Sequence, residues 1–157
     1  MKHSSLKVAT AALVASTYSI ITLSLGTFSY SWVQVRISEA LTPLPFTMGL
    51  PSIAGLVLGC IIANLFSPIG LPDMVFGPLL TLLAAILSWK ASFGKRILAC
   101  IYPIIVNSVG VSVYIYSFYG VPYMLSVATI AVGEFIAAAL IGYPLLLMIE
   151  RITANTP

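Results

Sequence analysis

The chain has 157 residues with a formal net charge of +3, and it is 60% hydrophobic and only 7% charged. A soluble domain carries roughly a quarter of its residues as charged groups. This composition, with a mean hydropathy of +1.09, therefore excludes a water-soluble globule and indicates one all-α integral membrane domain over residues 1–157. The basic excess is not a nucleic-acid signature, because no aromatic-interleaved basic patch accompanies it.

The first predicted helix covers 6–25, behind Lys2, His3 and Lys7. A basic start, an apolar run and Ser24-Leu25-Gly26 resemble a signal peptide, but the run is long for an h-region and a genuine first helix is expected. His3 stands alone in a polar tail and has no predicted role. Small residues repeat along this helix as Ala11-x3-Ala15-x3-Ser19 and Ala12-x3-Ser16, a pattern that packs closely inside a bundle or against another subunit.

The segment 30–46 contains Arg36, Glu39, Pro43 and Pro45 and is the least obvious span. The third apolar run, 49–66, has the ridge Gly55-x3-Gly59-x3-Ala63, which indicates tight helix packing. The fourth, 73–89, begins at Asp73, which reads first as a helix N-cap, with ligand contact as the lesser alternative. Asp73 and Asn64 border the short loop Ser67–Pro72. The remaining block is too long for one crossing and breaks at Gly120-Val121-Pro122, giving helices over 97–118 and 122–149.

Charge then decides the count. Lys2 and Lys7, the group Lys90, Lys95 and Arg96, and Arg151 belong on the cytoplasmic side. An even number of crossings must separate each pair, and only three obvious spans lie between Lys7 and Lys90. The segment 30–46 must supply a fourth. Six transmembrane helices with both termini cytoplasmic are expected.

A crossing at 30–46 puts Arg36 and Glu39 deep in the membrane, where each charge costs on the order of 2.5–3.5 kcal/mol. As an α-helix, the segment would carry Trp32, Arg36 and Glu39 on one face at i, i+4 and i+7. An aromatic plate, a forked donor and a carboxylate suit a flat, hydrogen-bonding ring; the competing reading is an internal Arg–Glu pair with Trp32 as an interfacial anchor. Glu134 lies mid-helix, either bridged to Arg36 or facing a cavity as an acceptor. Asn107, with Pro103, Gly110 and Tyr114, forms a stripe on the fifth helix. Its amide both donates and accepts, whether to a purine-like edge or to a neighbouring helix. Cys60 and Cys100 read as buried reduced thiols. There is no metal motif, nucleophile elbow, dinucleotide loop or P-loop, so neither an enzyme nor an ATPase is indicated, and no cofactor is implied.

The run Val35 to Phe46 (VRISEALTPLPF) resembles the signature of the QueT family. Gly59 to Phe66 (GCIIANLF) and Asp73 to Ala85 (DMVFGPLLTLLAA) resemble its next two blocks, in the same order. The pattern is departed from at Pro78 and at Ser67-Pro68. The resemblance implies an S-component-like six-helix bundle in a prokaryotic plasma membrane. Such a subunit binds substrate for an energy-coupling factor (ECF) importer of queuosine precursors. It implies a 7-deazaguanine base as ligand, with substrate-binding candidates Trp32, Arg36, Glu39, Asn107, Tyr114 and Glu134. It also implies a transmembrane coupling protein and a cytoplasmic ATPase pair as partners, with Ala11 and Ala15 at the coupling-protein contact. The alternatives are an S component for another vitamin-like molecule and a non-transporting membrane scaffold subunit.

Overall fold

The computed structural model describes residues 2–29 and 36–154. Helix α1 spans Lys2–Ser29 and is broken at Gly26, whose φ of 34° leaves the helical region. A 3-10 helix, Ile37–Leu41, is followed by the four-residue α2, Pro45–Met48. Three longer helices come next: α3, Leu50–Asn64; α4, Leu71–Lys90; and α5, Arg96–Tyr119. Helix α6, Tyr123–Glu134, passes through a π-helical stretch, Phe135–Ile141, into α7, Gly142–Ala154.

Ser4–Gly26, Leu71–Lys90, Arg96–Tyr119 and Tyr123–Ala154 are long and apolar enough to cross a membrane. The 15 residues of α3 are apolar but cover only about 22 Å, short of a hydrocarbon core of ~30 Å. Large apolar side chains such as Leu13, Ile20, Leu58, Leu79 and Val113 face outward. Tyr18, Leu56, Cys60 and Leu146 are fully buried. An apolar exterior around a core that also holds polar groups is the arrangement of a protein whose solvent is lipid.

Helices α1 and α3 run parallel. Gly55 sits against the carbonyl of Ala11, and one turn later Gly59 sits against Ala15 and Tyr18. A Cβ at Gly55 would lie 2.6 Å from the Ala11 oxygen, and one at Gly59 would lie 2.8 Å from Tyr18 Cβ. The predicted small-residue ridge is therefore the seam with α1. Along α3 and α4 the neighbours run oppositely, with Asn64 beside Asp73 and Gly49 beside Trp89. Helices α4 and α5 are also antiparallel, as Ser88–Ala99 and Asp73–Tyr114 show. So are α5 and α6–α7, with Asn107 at Glu134 and Arg96 at Glu150.

A parallel α1–α3 pair requires the chain between them to return along the bundle, and residues 36–48 do so. Ser38 lies beside Thr22 and Glu39 beside Tyr18, and Gly49 ends at Trp89 near the opposite end. The expected α-helix over 30–46 is corrected: from Arg36 to Leu44 its described part is a 3-10 helix and turns, and only Pro45 and Phe46 fall in the short α2. Pro43 and Pro45 have no N–H to give and clash with carbonyls four residues back. The backbone closes i→i+3 bonds instead, from Glu39, Thr42, Leu44 and Phe46 to Arg36, Glu39, Leu41 and Pro43. Such non-helical backbone at membrane depth is tolerated where protein surrounds it, and Arg36 and Ser38 through Pro45 are all buried. The 3-10 helix packs between α1 and the π-helical stretch, where Gly142 leaves room for the Ala40 carbonyl.

Replacing Gly59 by leucine should wedge α1 from α3. The expected cost is about 1–3 kcal/mol, read as an earlier unfolding transition of the purified chain in detergent.

Candidate functional site

Four buried ionisable side chains meet where residues 36–48 pass the other helices. Arg36, in extended conformation ahead of the 3-10 helix, donates from Nη2 to Asp73 Oδ2 at 2.8 Å. Asp73 is 1% exposed; its Oδ1 accepts from the Tyr114 hydroxyl at 2.7 Å. Its backbone oxygen accepts from Asn64 Nδ2 at 2.8 Å. Gly77 makes this last bond possible, since a Cβ there would lie 2.3 Å from that amide nitrogen.

Glu39, also 1% exposed, is held on both oxygens by hydroxyl donors: Tyr18 to Oε1 and Thr42 to Oε2. Glu134 Oε1 accepts from Asn107 Nδ2 at 3.0 Å. Glu134 Oε2 is buried with no hydrogen-bond partner among the described residues. A buried carboxylate oxygen without a donor is costly to keep, which leaves it with unused accepting capacity.

Arg36, Glu39, Asn107 and Glu134 line one cavity together with Gly77 and Thr81, and Val111 and Ile130 form its apolar side. Its volume is about 10 Å³, on the order of one water. Three carboxylates and one guanidinium are thus buried together, so acceptors of N–H groups outweigh cations. Chemically, the arrangement can take hydrogen-bond donors and positive charge from a small polar molecule.

Of the sequence-predicted residues, Arg36, Glu39, Asn107 and Glu134 come together. Trp32 lies outside the described residues. Arg36 and Glu39 do not share an α-helical face, because Arg36 precedes a 3-10 helix rather than sitting within an α-helix. Tyr114 is present but turned: its hydroxyl binds Asp73, and its ring stacks on Phe76 with centroids 5.9 Å apart. The Arg36–Glu134 bridge is replaced by Arg36–Asp73. Asp73 is not the N-cap expected, since Gly70 occupies that position and Asp73 lies in the first turn.

Sequence reasoning missed Asp73, Tyr18, Thr42 and Asn64 as partners. Asp73 had a signal: it is one of only four acidic residues in an apolar chain, and the argument applied to Glu39 applied equally to it. The hydroxyl and amide partners carried none, because such groups are scattered along every helix here.

The backbone of Ala11 and Ala15 meets Gly55 and Gly59 of α3, and Ala15 is buried. Ala12 and Ser16 form an exposed small pair on α1, and the Ser16 hydroxyl is turned back onto the Ala12 carbonyl at 2.8 Å.

Removing one partner of a buried ion pair strands the other. Asp73→Leu should therefore lower stability by about 3–5 kcal/mol, and Arg36→Met/Asp73→Leu should recover most of that loss, as read by unfolding in detergent.

No curated protein matches the chain significantly, and no solved structure does. The family model described as QueT transporter matches residues 8–151. That match covers most of α1 and α7, all of α2 to α6, and the cavity-lining Arg36, Glu39, Thr81, Asn107 and Glu134. With most of its length in that match, the chain belongs to the QueT transporter family and is a membrane transport protein of the S-component kind.

Proposed function

We propose that this chain is the substrate-capturing subunit of an ECF-type ATP-driven importer, and that its cavity binds a 7-deazaguanine base, a precursor of queuosine. The observation that carries the reading is Glu134 Oε2, a buried acceptor without a donor, facing Arg36, Glu39 and Asn107 across one cavity. A guanine-like ring offers ring and exocyclic N–H groups to a carboxylate and a carbonyl to a guanidinium or amide. Val111 and Ile130 supply apolar contact for its face. Where the base carries an aminomethyl cation, the excess of carboxylates over cations favours it.

A bicyclic base needs far more room than about 10 Å³, so capture requires residues 36–48 or the helices around them to shift. Capture from outside fits the charge distribution. Lys7, Lys90, Lys95, Arg96 and Arg151 lie at one end of the bundle, and the chain turns at 65–70 and 120–122 lie at the other. Six crossings with both termini cytoplasmic follow from that distribution if residues 36–48 belong to one of them. Energy comes from separate partners, a coupling protein and an ATPase pair.

Calorimetric titration of the purified chain with deazaguanine bases, beside guanine and riboflavin, tests the ligand. Submicromolar binding of a queuosine precursor is expected, and Glu134→Gln should weaken it by roughly 10- to 100-fold. Absence of binding by every base would reject this ligand and leave an S component for a different molecule.

The coupling face is assigned to the exposed Ala12–Ser16 side of α1. Ala12→Leu should leave binding intact and abolish uptake in cells that carry the importer. Ala15→Leu should instead lower stability, because its added bulk meets Gly59. Normal uptake by Ala12→Leu would remove this face from the coupling contact.

A further inference from the structure

The turn that joins α4 to α5 holds a strained, outward-facing aromatic side chain. Phe93 has a φ of 48° and Gly94 a φ of 74°, and the Lys95 N–H donates to the Ser92 carbonyl at 2.8 Å. Two successive positive φ values closed by an i→i+3 bond have the sign pattern of a type I′ turn. The first central position of such a turn favours Gly, Asn or Asp, and a bulky residue there is an outlier.

The turn is firmly held. The Ala91 N–H donates to Leu87 at 2.8 Å, and the Tyr102 hydroxyl donates to the Ala91 carbonyl at 2.7 Å. The Ser92 hydroxyl donates to Ser88 at 2.7 Å. These bonds leave Phe93 82% exposed, the most exposed large hydrophobic side chain among the described residues. Strain of this kind persists only when something else offsets it, and a ring so exposed gains little inside its own chain.

The surroundings indicate what lies outside. Lys90, Lys95 and Arg96 flank the ring in sequence, and Lys90 Nζ sits 3.9 Å from the Trp89 ring centroid. Arg96 is tied to Glu150, with Arg151 adjacent to Glu150 in sequence, so basic residues outnumber the single acidic one at this end of the bundle. The 20 residues of α4 cover about 30 Å. The turn therefore lies where the chain leaves the hydrocarbon, at the depth of lipid headgroups.

We propose that the Ser92–Lys95 turn is a docking element for anionic phospholipid. Phe93 enters the boundary between headgroups and acyl chains, and Lys90, Lys95 and Arg96 hold the phosphates. The turn geometry aims the ring, and the cations select the lipid charge.

The full chain, purified in neutral detergent, is melted with added phosphatidylcholine or phosphatidylglycerol. Phosphatidylglycerol should raise the wild-type melting temperature by roughly 2–4 °C over phosphatidylcholine. Phe93→Asn separates anchoring from folding, because asparagine tolerates positive φ. It should melt no lower than wild type in detergent alone yet lose most of the phosphatidylglycerol increment, and Lys90→Gln/Lys95→Gln should lose it too. Equal effects of the two lipids on wild type, or an undiminished increment in Phe93→Asn, would overturn the proposal. A large drop for Phe93→Asn in detergent alone would overturn it as well, by giving the ring a packing role. Loss of co-purification with the ATPase partners, without any lipid effect, would assign the turn to a protein surface instead.

Discussion

In hydrocarbon, a backbone N–H or C=O without a partner costs several kcal/mol, and water is not there to supply one. Residues 36–48 have to live with that constraint while carrying two prolines, an arginine and a glutamate. Their solution is local for the backbone and long-range for the side chains. Short i→i+3 bonds close the main chain. Asp73 reaches Arg36 from α4, Tyr18 reaches Glu39 from α1, and Thr22 reaches Ser38. Close packing at Gly55, Gly59, Gly77 and Gly142 brings the surrounding helices near enough for these bonds to form.

The same constraint sorts the buried charges into two kinds. Asp73 and Glu39 have both carboxylate oxygens answered, by the Arg36 guanidinium or by hydroxyl donors, so they fix geometry. Glu134 is only half answered, by Asn107. The Glu134 carboxylate, with one oxygen open, keeps accepting capacity that the Asp73 and Glu39 carboxylates have used. The π-helical stretch begins at the next residue, Phe135, a position where such irregularities accompany functional sites.

Much of this was readable from residues, for reasons that differ by element. Helices α3 to α5 and the break at Gly120 followed from apolar run length and turn chemistry, and their ends agree with expectation to within about two residues. Parity of the basic clusters demanded that the chain come back between α1 and α3, and the parallel pairing of those helices makes the same demand. Parity constrains connectivity but not backbone geometry, so it could not say that the return is a 3-10 helix and turns. The prolines at 43 and 45 were the warning. At the site, Arg36, Glu39, Asn107 and Glu134 stood out because polarity is rare in this chain. Which carboxylate takes which donor depends on the rotation of each helix, and sequence spacing leaves that free. Ala11 against Ala12 is the same problem at one-residue resolution: a rotation of about 100° per residue decides which small side faces α3.

The parallel pairing of α1 and α3 also bears on how the protein reaches its membrane. The most extensive helix–helix packing among the described residues joins two segments of like direction, which cannot enter together as a hairpin. Whatever inserts α1 must then accept a stretch whose arginine and glutamate oppose partitioning on their own, before α3 exists to close over it. The counter-charge for Arg36 is Asp73, which emerges from the ribosome later still. Biogenesis therefore passes through a stage in which residues 36–48 have no finished shelter, and the translocation machinery, rather than lipid, has to hold them until α4 arrives.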